Sequence, residues 1–365
     1  GAWETVLNSN IIGVYNLYEG CRKNDVKRVI WASSVHAVGF YPRTEIVDSK
    51  STVRPDSNYG VSKVYGEAMI KKIGCIGLGV MGAPIAMHLI RAGFDVRGYA
   101  RRADFFATEG AELIAAGLTP SDTPATLAAD VDLIITNVVT GDDVYDVLIG
   151  HEHAVCHAAA AHHGLIVMDH STIAPDKTRQ IGQAMYDHGI GWVDAPVSGG
   201  GIGAVAGSLV SMLGGYRRDV EAVLPVLSAY TSGHRHIGDM GAGQVAKLCN
   251  QIAQVVTIQG VAEAMQFAAI HHADQDAVLD VMMQGFASSK MLELMAPKMI
   301  ADDYAPGMES RLHAKDLHVA VAAAKQNGQT LPTTECVFAL LEAIQAKGWN
   351  KKDTSILYQH LKNKS

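Results

Sequence analysis

The sequence has no long apolar run, and this absence excludes several classes of protein. No hydrophobic stretch reaches the roughly 18 residues of a membrane span, and the N-terminus lacks the basic and then apolar order of a signal peptide. The five cysteines, Cys21, Cys75, Cys156, Cys249 and Cys336, show no paired spacing. The absence of paired spacing argues against a disulfide framework and indicates reduced thiols. We therefore expect a soluble, cytoplasmic protein without a membrane partner.

The sequence also lacks an excess of basic residues. Its formal net charge is −7, which argues against a nucleic-acid partner. With 365 residues, of which 48% are hydrophobic, the chain is long enough to bury the cores of two or three domains.

One glycine-rich stretch, by contrast, predicts a binding site. The run KIGCIGLGVMG leads from a short apolar strand directly into Gly77, Gly79 and Gly82, which have the spacing G-x-G-x-x-G. Such glycines permit a tight turn, a close approach of pyrophosphate to the backbone, and close packing of the helix on the strand. An amphipathic stretch at 83–92 and a second apolar strand at 94–100 complete the β-α-β unit. We predict a dinucleotide site here, which also includes Leu78, Val80 and Met81.

The end of the second predicted strand indicates which dinucleotide is bound. Enzymes specific for NAD place an acidic residue there, to bind the ribose hydroxyls. This chain has Arg101 and Arg102 instead. Because an arginine fork matches a phosphate, we predict NADP, with NAD as the alternative. The competing interpretation is a solvated basic turn.

The remaining pattern predicts an α/β fold, namely a Rossmann-type doubly wound sheet followed by an all-α C-terminal domain. Apolar strands are predicted at 73–76, 95–100, 131–137, 165–169, 191–195, 209–214 and 232–236. From Gln244 onward the periodicity is helical. We predict a partial domain at 1–71, a dinucleotide-binding domain at 72–236 and a helical domain at 237–365.

Two further stretches are candidates for binding a substrate. Ser198, Gly199 and Gly200 follow a predicted strand end, where consecutive glycines present free backbone N–H groups to an anion. Lys247 and Asn250 stand three residues apart on the long predicted helix and share a face, so both can reach one ligand. Alternatively, Lys247 is an ordinary solvated charge.

Histidines cluster between 151 and 163, which raises the alternative of a metal site. Their spacing mixes both faces of any helix, and no carboxylate or cysteine pair completes a ligand set. We interpret this run as a surface connection and predict no metal.

The first 71 residues carry a pattern of their own. The stretches SSVHAVG and SNYGVSKVYGEA resemble the extended short-chain dehydrogenase/reductase family, which includes uronate dehydrogenases and sugar-nucleotide epimerases. The resemblance implies that Ser34, Tyr59 and Lys63 match its hydride-transfer triad. No glycine-rich loop precedes them, and a new strand begins at Lys72. We therefore expect a vestigial triad in a partial domain, left by gene fusion, truncation or an error of sequence assembly.

Residues 72–365 resemble the β-hydroxyacid dehydrogenase family, which includes 3-hydroxyisobutyrate dehydrogenases and tartronate semialdehyde reductases (2-hydroxy-3-oxopropionate reductases). The motifs IGLGVMGAP, DHSTIAP, DAPVSGG, GAGQVAKLCNQ and LHAKDL carry the resemblance. It implies a dimeric or tetrameric oxidoreductase in which the helical domain at 237–365 serves substrate binding and oligomerisation. It also implies roles for single residues: Lys247 as catalytic acid/base assisted by Asn250, Ser198 to Gly200 as the carboxylate site, Thr172 as a cofactor contact, and Lys315 closing over the cofactor.

The chain departs from the usual family pattern at five positions: His88, Asn137, Val138, Val139 and Gln251. The first four are expected near the cofactor, and Gln251 resembles the tartronate semialdehyde reductase pattern. We predict NAD(P)H-dependent reduction of a short 3-oxo carboxylate of this type. 3-Hydroxyisobutyrate dehydrogenase and succinic semialdehyde reductase are the alternatives within the family. A non-catalytic NADP-binding interaction protein is the alternative of another class, and retention of Lys247 argues against it.

Overall fold

The computed structural model describes residues 5–13, 17, 72–158 and 164–362. The chain divides into two compact units, one made of residues 1–71 and 91–94 and the other of the rest. In the first unit, Leu7–Ile12 form a π-helical turn. The predicted triad of Ser34, Tyr59 and Lys63 lies outside the described residues.

Nine strands in the described residues form one sheet. They are β1 Lys72–Ile76, β2 Asp95–Tyr99, β3 Thr119–Pro120, β4 Leu133–Thr136, β5 Ile166–Asp169, β6 Gly191–Asp194, β7 Val197–Ser198, β8 Leu209–Gly215 and β9 Thr231–Gly238. The order is β3-β2-β1-β4-β5-β6-β8-β7, with β9 paired to β8. Strands β1 to β6 are parallel, β8 is antiparallel to β6 and β7, and β9 is parallel to β8. The parallel part has the doubly wound order of dinucleotide-binding folds.

Helices cover the sheet and form the C-terminal region. The α-helices of the described residues are α1 Gly82–Arg91, α2 Ala111–Ala116, α3 Pro124–Ala128, α4 Gly141–Tyr145, α5 Pro175–Asp187, α6 Gly200–Ala206, α7 Arg217–Leu227, α8 Ala242–Ile270, α9 Gln275–Gln284, α10 Lys290–Ile300, α11 Ser310–Gln326, α12 Pro332–Ala346 and α13 Leu357–Lys362. A π-helical turn, Asp146–Gly150, extends α4, and 3₁₀ turns lie at Phe105–Ala107, Val155–His157 and Thr354–Ile356.

Local chemistry sets several of these boundaries. Thr123 and Thr140 each form a capping box at the start of α3 and α4, where the side chain accepts from a backbone N–H that has no partner within the helix. Proline opens α3, α5 and α12, where its missing N–H costs nothing. Helix α6 ends at Gly207, whose positive φ of 65° suits a glycine at a helix C-terminus.

Two hydrophobic cores stabilise the second unit. One lies against the sheet and includes Ile134, Leu148 and Trp192, all fully buried. The other lies among the C-terminal helices and includes Met265 and Leu317. Helix α8, 29 residues long, packs on β8 as well as on α10 and α11, so it connects the two layers. The predicted fold class is therefore confirmed.

The differences from the predicted elements are small. Strands β3 and β7 were not predicted, since two residues are too few to show an alternating pattern. The domain boundaries at 71/72 and 236/237 stay predictions; β9 ends at Gly238 and α8 begins at Ala242. Among the described residues, no helix is both long enough and apolar enough to cross a membrane.

Candidate active site

The glycine-rich loop lies between β1 and α1, at the carboxyl end of the sheet. Gly77 has a φ of 91°, and a side chain there would collide with the carbonyl oxygen of Asn137. A side chain on Gly82 would collide with the carbonyl oxygen of Gly77. The space above Gly79 is open, with nothing within 4 Å of an added Cβ. Two glycines thus shape the turn, and the third leaves bare backbone for a ligand.

The side chains around this loop also suit a dinucleotide. Leu78 is buried beneath the loop, whereas Val80 is 80% exposed above it, next to the half-buried Met81. The Nδ2 atom of Asn137 is buried and has no partner among the described residues. The backbone N–H of Val138 donates to Ser171 Oγ at 3.0 Å. The loop therefore offers free backbone and one unused donor, which fits the predicted cofactor.

The two arginines beyond β2 have different surroundings. Arg102 pairs with Glu109 and, at 3.3 Å, with Asp104. The hydrogen bonds that Glu109 accepts from Thr108 and Arg102 lower the pKa of its carboxyl to about 2. The Arg101 side chain is 89% exposed, and its nearest carboxylate, that of Asp143, is 3.6 Å away. Of the two, Arg101 is the one available to a phosphate.

The second glycine stretch lies close to the first. Gly199 and Gly200 have φ values of 131° and 60°, and they join β7 to α6. A Cβ on Gly201 would be 3.1 Å from the side chain of Val80, and one on Gly200 would be 3.7 Å from the methyl group of Met308. The segment Ser198–Gly200 therefore lies between the dinucleotide loop and the chain that leads into α11.

His88, which we expect near the cofactor, contributes to the position of α6. Its Nε2 atom lies 3.1 Å from the carbonyl oxygen of Ala204 and 3.0 Å from that of Val205. These carbonyls are at the C-terminal end of α6, where they have no partners within the helix. His88 thus ties α1 to α6.

Asp194, at the end of β6, fixes the start of the long helix α8. Its two carboxylate oxygens accept from the backbone N–H groups of Gly241, at 2.8 Å, and Gln244, at 3.0 Å. The Gln244 side chain donates to the carbonyl of Ser171 at 2.7 Å and accepts from the N–H of Ile173 at 3.1 Å. Asp194 and Gln244 are both fully buried. These bonds set the position of α8 relative to the sheet.

Lys247 lies on α8 and is buried, with 8% of its surface exposed. Burial lowers the pKa of its ammonium group to about 8, although the carboxylate of Asp316 acts in the opposite direction. Its Nζ atom donates to Gln251 Oε1 at 2.9 Å. The interpretation of Lys247 as a solvated surface charge is therefore wrong.

A hydrogen-bonded network surrounds the lysine. The Nδ2 atom of Asn250 donates to Gln251 Oε1 at 3.0 Å and to Gln254 Oε1 at 3.3 Å. Gln251 Nε2 donates to Asp316 Oδ2 at 2.6 Å. Asn250 thus joins Lys247 on one face of α8, as the spacing predicts.

Lys315 connects this network to the sheet. Its Nζ atom lies 3.0 Å from Asp316 Oδ1 and donates to the carbonyl oxygen of Thr172 at 2.5 Å. Thr172 follows β5, whereas Lys315 belongs to α11. The structure thus brings together these two predicted cofactor contacts across the junction between sheet and helices.

Sequence reasoning gave no role to Asp316, Gln254 or Met308, and treated Gln251 merely as a departure from the family pattern. Spacing could have found Gln254, which stands one turn beyond Asn250 on the same helix. Asp316 and Met308 approach from a distant part of the chain, and a single sequence contains no signal for that contact.

The histidine-rich run follows α4. His151 and His153 are exposed, their ring centroids are 5.8 Å apart, and His162 and His163 lie outside the described residues. In the part of the chain that the structure describes, no three His, Cys, Asp or Glu side chains are grouped to hold a metal ion.

Comparison with known families gives three matches along the chain. Residues 72–241 match the NAD binding domain of 6-phosphogluconate dehydrogenase. Residues 241–361 match the NAD-binding family of NADP-dependent 3-hydroxyisobutyrate dehydrogenase. Residues 3–74 match the NAD-dependent epimerase/dehydratase family, which confirms the resemblance seen in the first 71 residues.

Individual relatives agree with these matches. The chain is 37% identical over 290 residues to an uncharacterised oxidoreductase of Shewanella frigidimarina, covering 80% of this chain and 98% of the relative. It is 34% identical over 290 residues to 2-hydroxy-3-oxopropionate reductase of Escherichia coli, covering 80% and 97%. The chain belongs to the β-hydroxyacid dehydrogenase family. As a β-hydroxyacid dehydrogenase, it is an NAD(P)-dependent oxidoreductase.

A solved structure supports the fold of this β-hydroxyacid dehydrogenase. It is the 3-hydroxyisobutyrate dehydrogenase of Mycobacterium tuberculosis with L-serine, which is 29% identical with a TM-score of 0.72. The match covers 80% of this chain and 99% of that one.

Proposed function

We propose that this dehydrogenase reduces tartronate semialdehyde (2-hydroxy-3-oxopropionate), or a close 3-oxo carboxylate, to the β-hydroxyacid and catalyses the reverse oxidation. One observation carries the proposal: a buried lysine with a lowered pKa belongs to a polar network that extends to Gln254, and Gln254 contacts Met308, whose methyl group lies close to Gly200. The name of the Escherichia coli relative supports this substrate.

The cofactor is assigned to the glycine-rich loop. Gly77, Gly79 and Gly82 would hold the pyrophosphate, Arg101 would bind the 2′-phosphate of NADP, and Asn137 would use its free amide. Lys315, from α11, would close over the cofactor, and Thr172, which follows β5, would contact it. When bound, the cofactor supplies the hydride for reduction or accepts it in oxidation.

The protein's own groups then bind the substrate and move the proton. The N–H groups at Ser198 to Gly200 would bind the substrate carboxylate. Lys247 would donate a proton to the alkoxide oxygen that develops from the aldehyde, and Asn250 would assist it through Gln251 Oε1, which accepts hydrogen bonds from both side chains. A pKa of about 8 leaves the ammonium charged at pH 7 and makes it a better acid than an exposed lysine. In oxidation the neutral amine would act as the base.

The other parts of the prediction are proposals of the same kind. Exposed apolar side chains on the helical region, including Phe267 on α8 and Val281 on α9, support a homodimer or homotetramer. The four cysteines of the described part are free, which supports a cytoplasmic protein.

The test is a substrate panel. Reduction of tartronate, methylmalonate and succinic semialdehydes is measured with NADPH and with NADH. We expect the highest kcat/KM for tartronate semialdehyde with NADPH. A preference for methylmalonate or succinic semialdehyde would favour 3-hydroxyisobutyrate dehydrogenase or succinic semialdehyde reductase, and no turnover of any of them would contradict the proposed substrate class.

A further inference from the structure

Gln254 lies at the edge of the candidate active site and has no part in the mechanism above. It stands seven residues beyond Lys247 and four beyond Asn250 on α8, so all three share one face of the helix. Its side chain is half-buried. It therefore belongs to the wall of the space in which a substrate would react.

The orientation of its amide follows from the network. A carboxylate can only accept hydrogen bonds, so Asp316, paired with Lys315, requires Gln251 to present its NH₂ group, at 2.6 Å. Gln251 Oε1 then faces Lys247 and Asn250, and Asn250 must present its own NH₂ group. That group also donates to Gln254 Oε1, at 3.3 Å. Gln254 consequently directs its NH₂ group away from Asn250.

The NH₂ group of Gln254 is poorly used within the protein. Among the described residues, its hydrogen-bond acceptor is the sulfur of Met308, at 3.7 Å. A thioether sulfur is a weak acceptor. The methyl group of the same Met308 lies 3.7 Å from the position of a Cβ on Gly200. Met308 is thus a neighbour both of this weakly partnered donor and of the segment assigned to the substrate carboxylate.

We propose that Gln254 determines substrate specificity by donating a hydrogen bond to a hydroxyl group on C2 of the substrate, the carbon between carboxylate and aldehyde. The enzyme would thus select 2-hydroxy-3-oxo carboxylates over analogues with a methyl group or hydrogen at C2. This inference rests on the proposed function, since it names the group that the site recognises in that substrate class.

The expected discrimination has a physical basis. A hydroxyl oxygen is a better acceptor than the thioether sulfur, so the hydroxy substrate gains a hydrogen bond. A methyl group cannot accept, and its binding would also displace water from the amide, which leaves a desolvated donor without a good partner. Sites built to bind a hydroxyl reject the analogue that lacks it more strongly than apolar sites reject an added methyl group.

The test replaces the amide while keeping the length of the side chain. In Gln254→Met, kcat/KM is measured for tartronate semialdehyde (2-hydroxy), methylmalonate semialdehyde (2-methyl) and malonate semialdehyde (2-hydrogen). We expect the ratio of hydroxy to methyl substrate to fall about tenfold, mainly through loss of activity on the hydroxy substrate. Activity on the methyl substrate shows that the variant is folded. Gln183→Met, the same exchange at an exposed position of α5, is the matched control and should leave the ratio unchanged.

The outcomes separate the two proposals. A ratio that changes less than threefold in Gln254→Met, while the unmodified enzyme turns over the semialdehydes, would overturn the role of Gln254 alone. An unmodified enzyme that reduces none of the three would overturn the proposed function, and the inference with it. A preference of the unmodified enzyme for the methyl substrate would also overturn the inference.

Discussion

The Rossmann half of the candidate site is formed mainly by exposed backbone, whereas the helical half is formed by side chains. At Gly79 and at Ser198–Gly200 the chain is bare, and positive φ angles at Gly199 and Gly200 shape the second of these segments. On the helical side, Lys247 and Gln251 meet in a network of charges and amides. Substitutions should therefore impair the two halves in different ways. The Rossmann half should be sensitive to added side-chain bulk, and the helical half to the removal of functional groups.

The largest effect is expected in the helical half. Lys247→Ala should lower kcat for semialdehyde reduction at least about a hundredfold, as expected for loss of a general acid, with a smaller change in KM. The Kd for NADPH, measured by fluorescence titration, should stay within a few-fold, because Lys247 is assigned to the proton transfer and not to cofactor binding. A variant that keeps normal kcat would show that the proton comes from another group.

The pH dependence of the same lysine gives the next largest effect. Reduction needs the ammonium form, so kcat/KM for reduction should fall about tenfold per unit above the pKa of about 8. Oxidation needs the neutral amine, and its kcat/KM should rise with pH and level off above 8. The residual rate of Lys247→Ala serves as the control and should show neither the fall in reduction nor the rise in oxidation with pH. A pH dependence that persists in this variant would assign the titration to another group.

The backbone half is tested by a pair of glycine substitutions. Gly79→Ala adds a methyl group to open space, so Tm should be unchanged while the Kd for NADPH rises about tenfold. Gly82→Ala adds one against the carbonyl of Gly77, so Tm and cofactor binding should both decline, with about 1–3 kcal/mol lost in folding free energy. Normal cofactor binding by Gly79→Ala would contradict the assignment of the loop.

The smallest effect is expected at the arginines, where the Rossmann half does use side chains. Arg101→Asp should lower the preference for NADPH over NADH roughly fivefold to tenfold, since it removes a charge-assisted contact with the 2′-phosphate. Arg102→Ala is the control and should change the preference less, because Glu109 and Asp104 engage Arg102 in the free protein. Equal effects at both positions would mean that both bind the phosphate.

The same contrast explains how far the sequence allowed prediction. Backbone features leave local signals, so the glycine-rich loop and the Ser198–Gly200 turn could be located from spacing alone. Helical periodicity likewise placed Lys247 beside Asn250. The contacts of Asp316 with Gln251 and of Met308 with Gln254 join residues more than 50 positions apart. Local pattern contains no information on such pairs, and their discovery needed the packing of α11 against α8.

The junction formed by Asp194 and Gln244 has a consequence for protein engineering. The two family matches meet at residue 241, which invites exchange of the helical region between relatives at that point. An exchange at this point would separate Asp194 and the turn at 171–173 from the N-terminal end of α8, to which they are hydrogen-bonded. A chimaera that imports α8 without its matching acidic anchor would lose the hydrogen bonds that position the helix, and with them the position of Lys247, the proposed proton donor. Modular swaps in this architecture therefore have to carry the anchor residues of the sheet together with the helices.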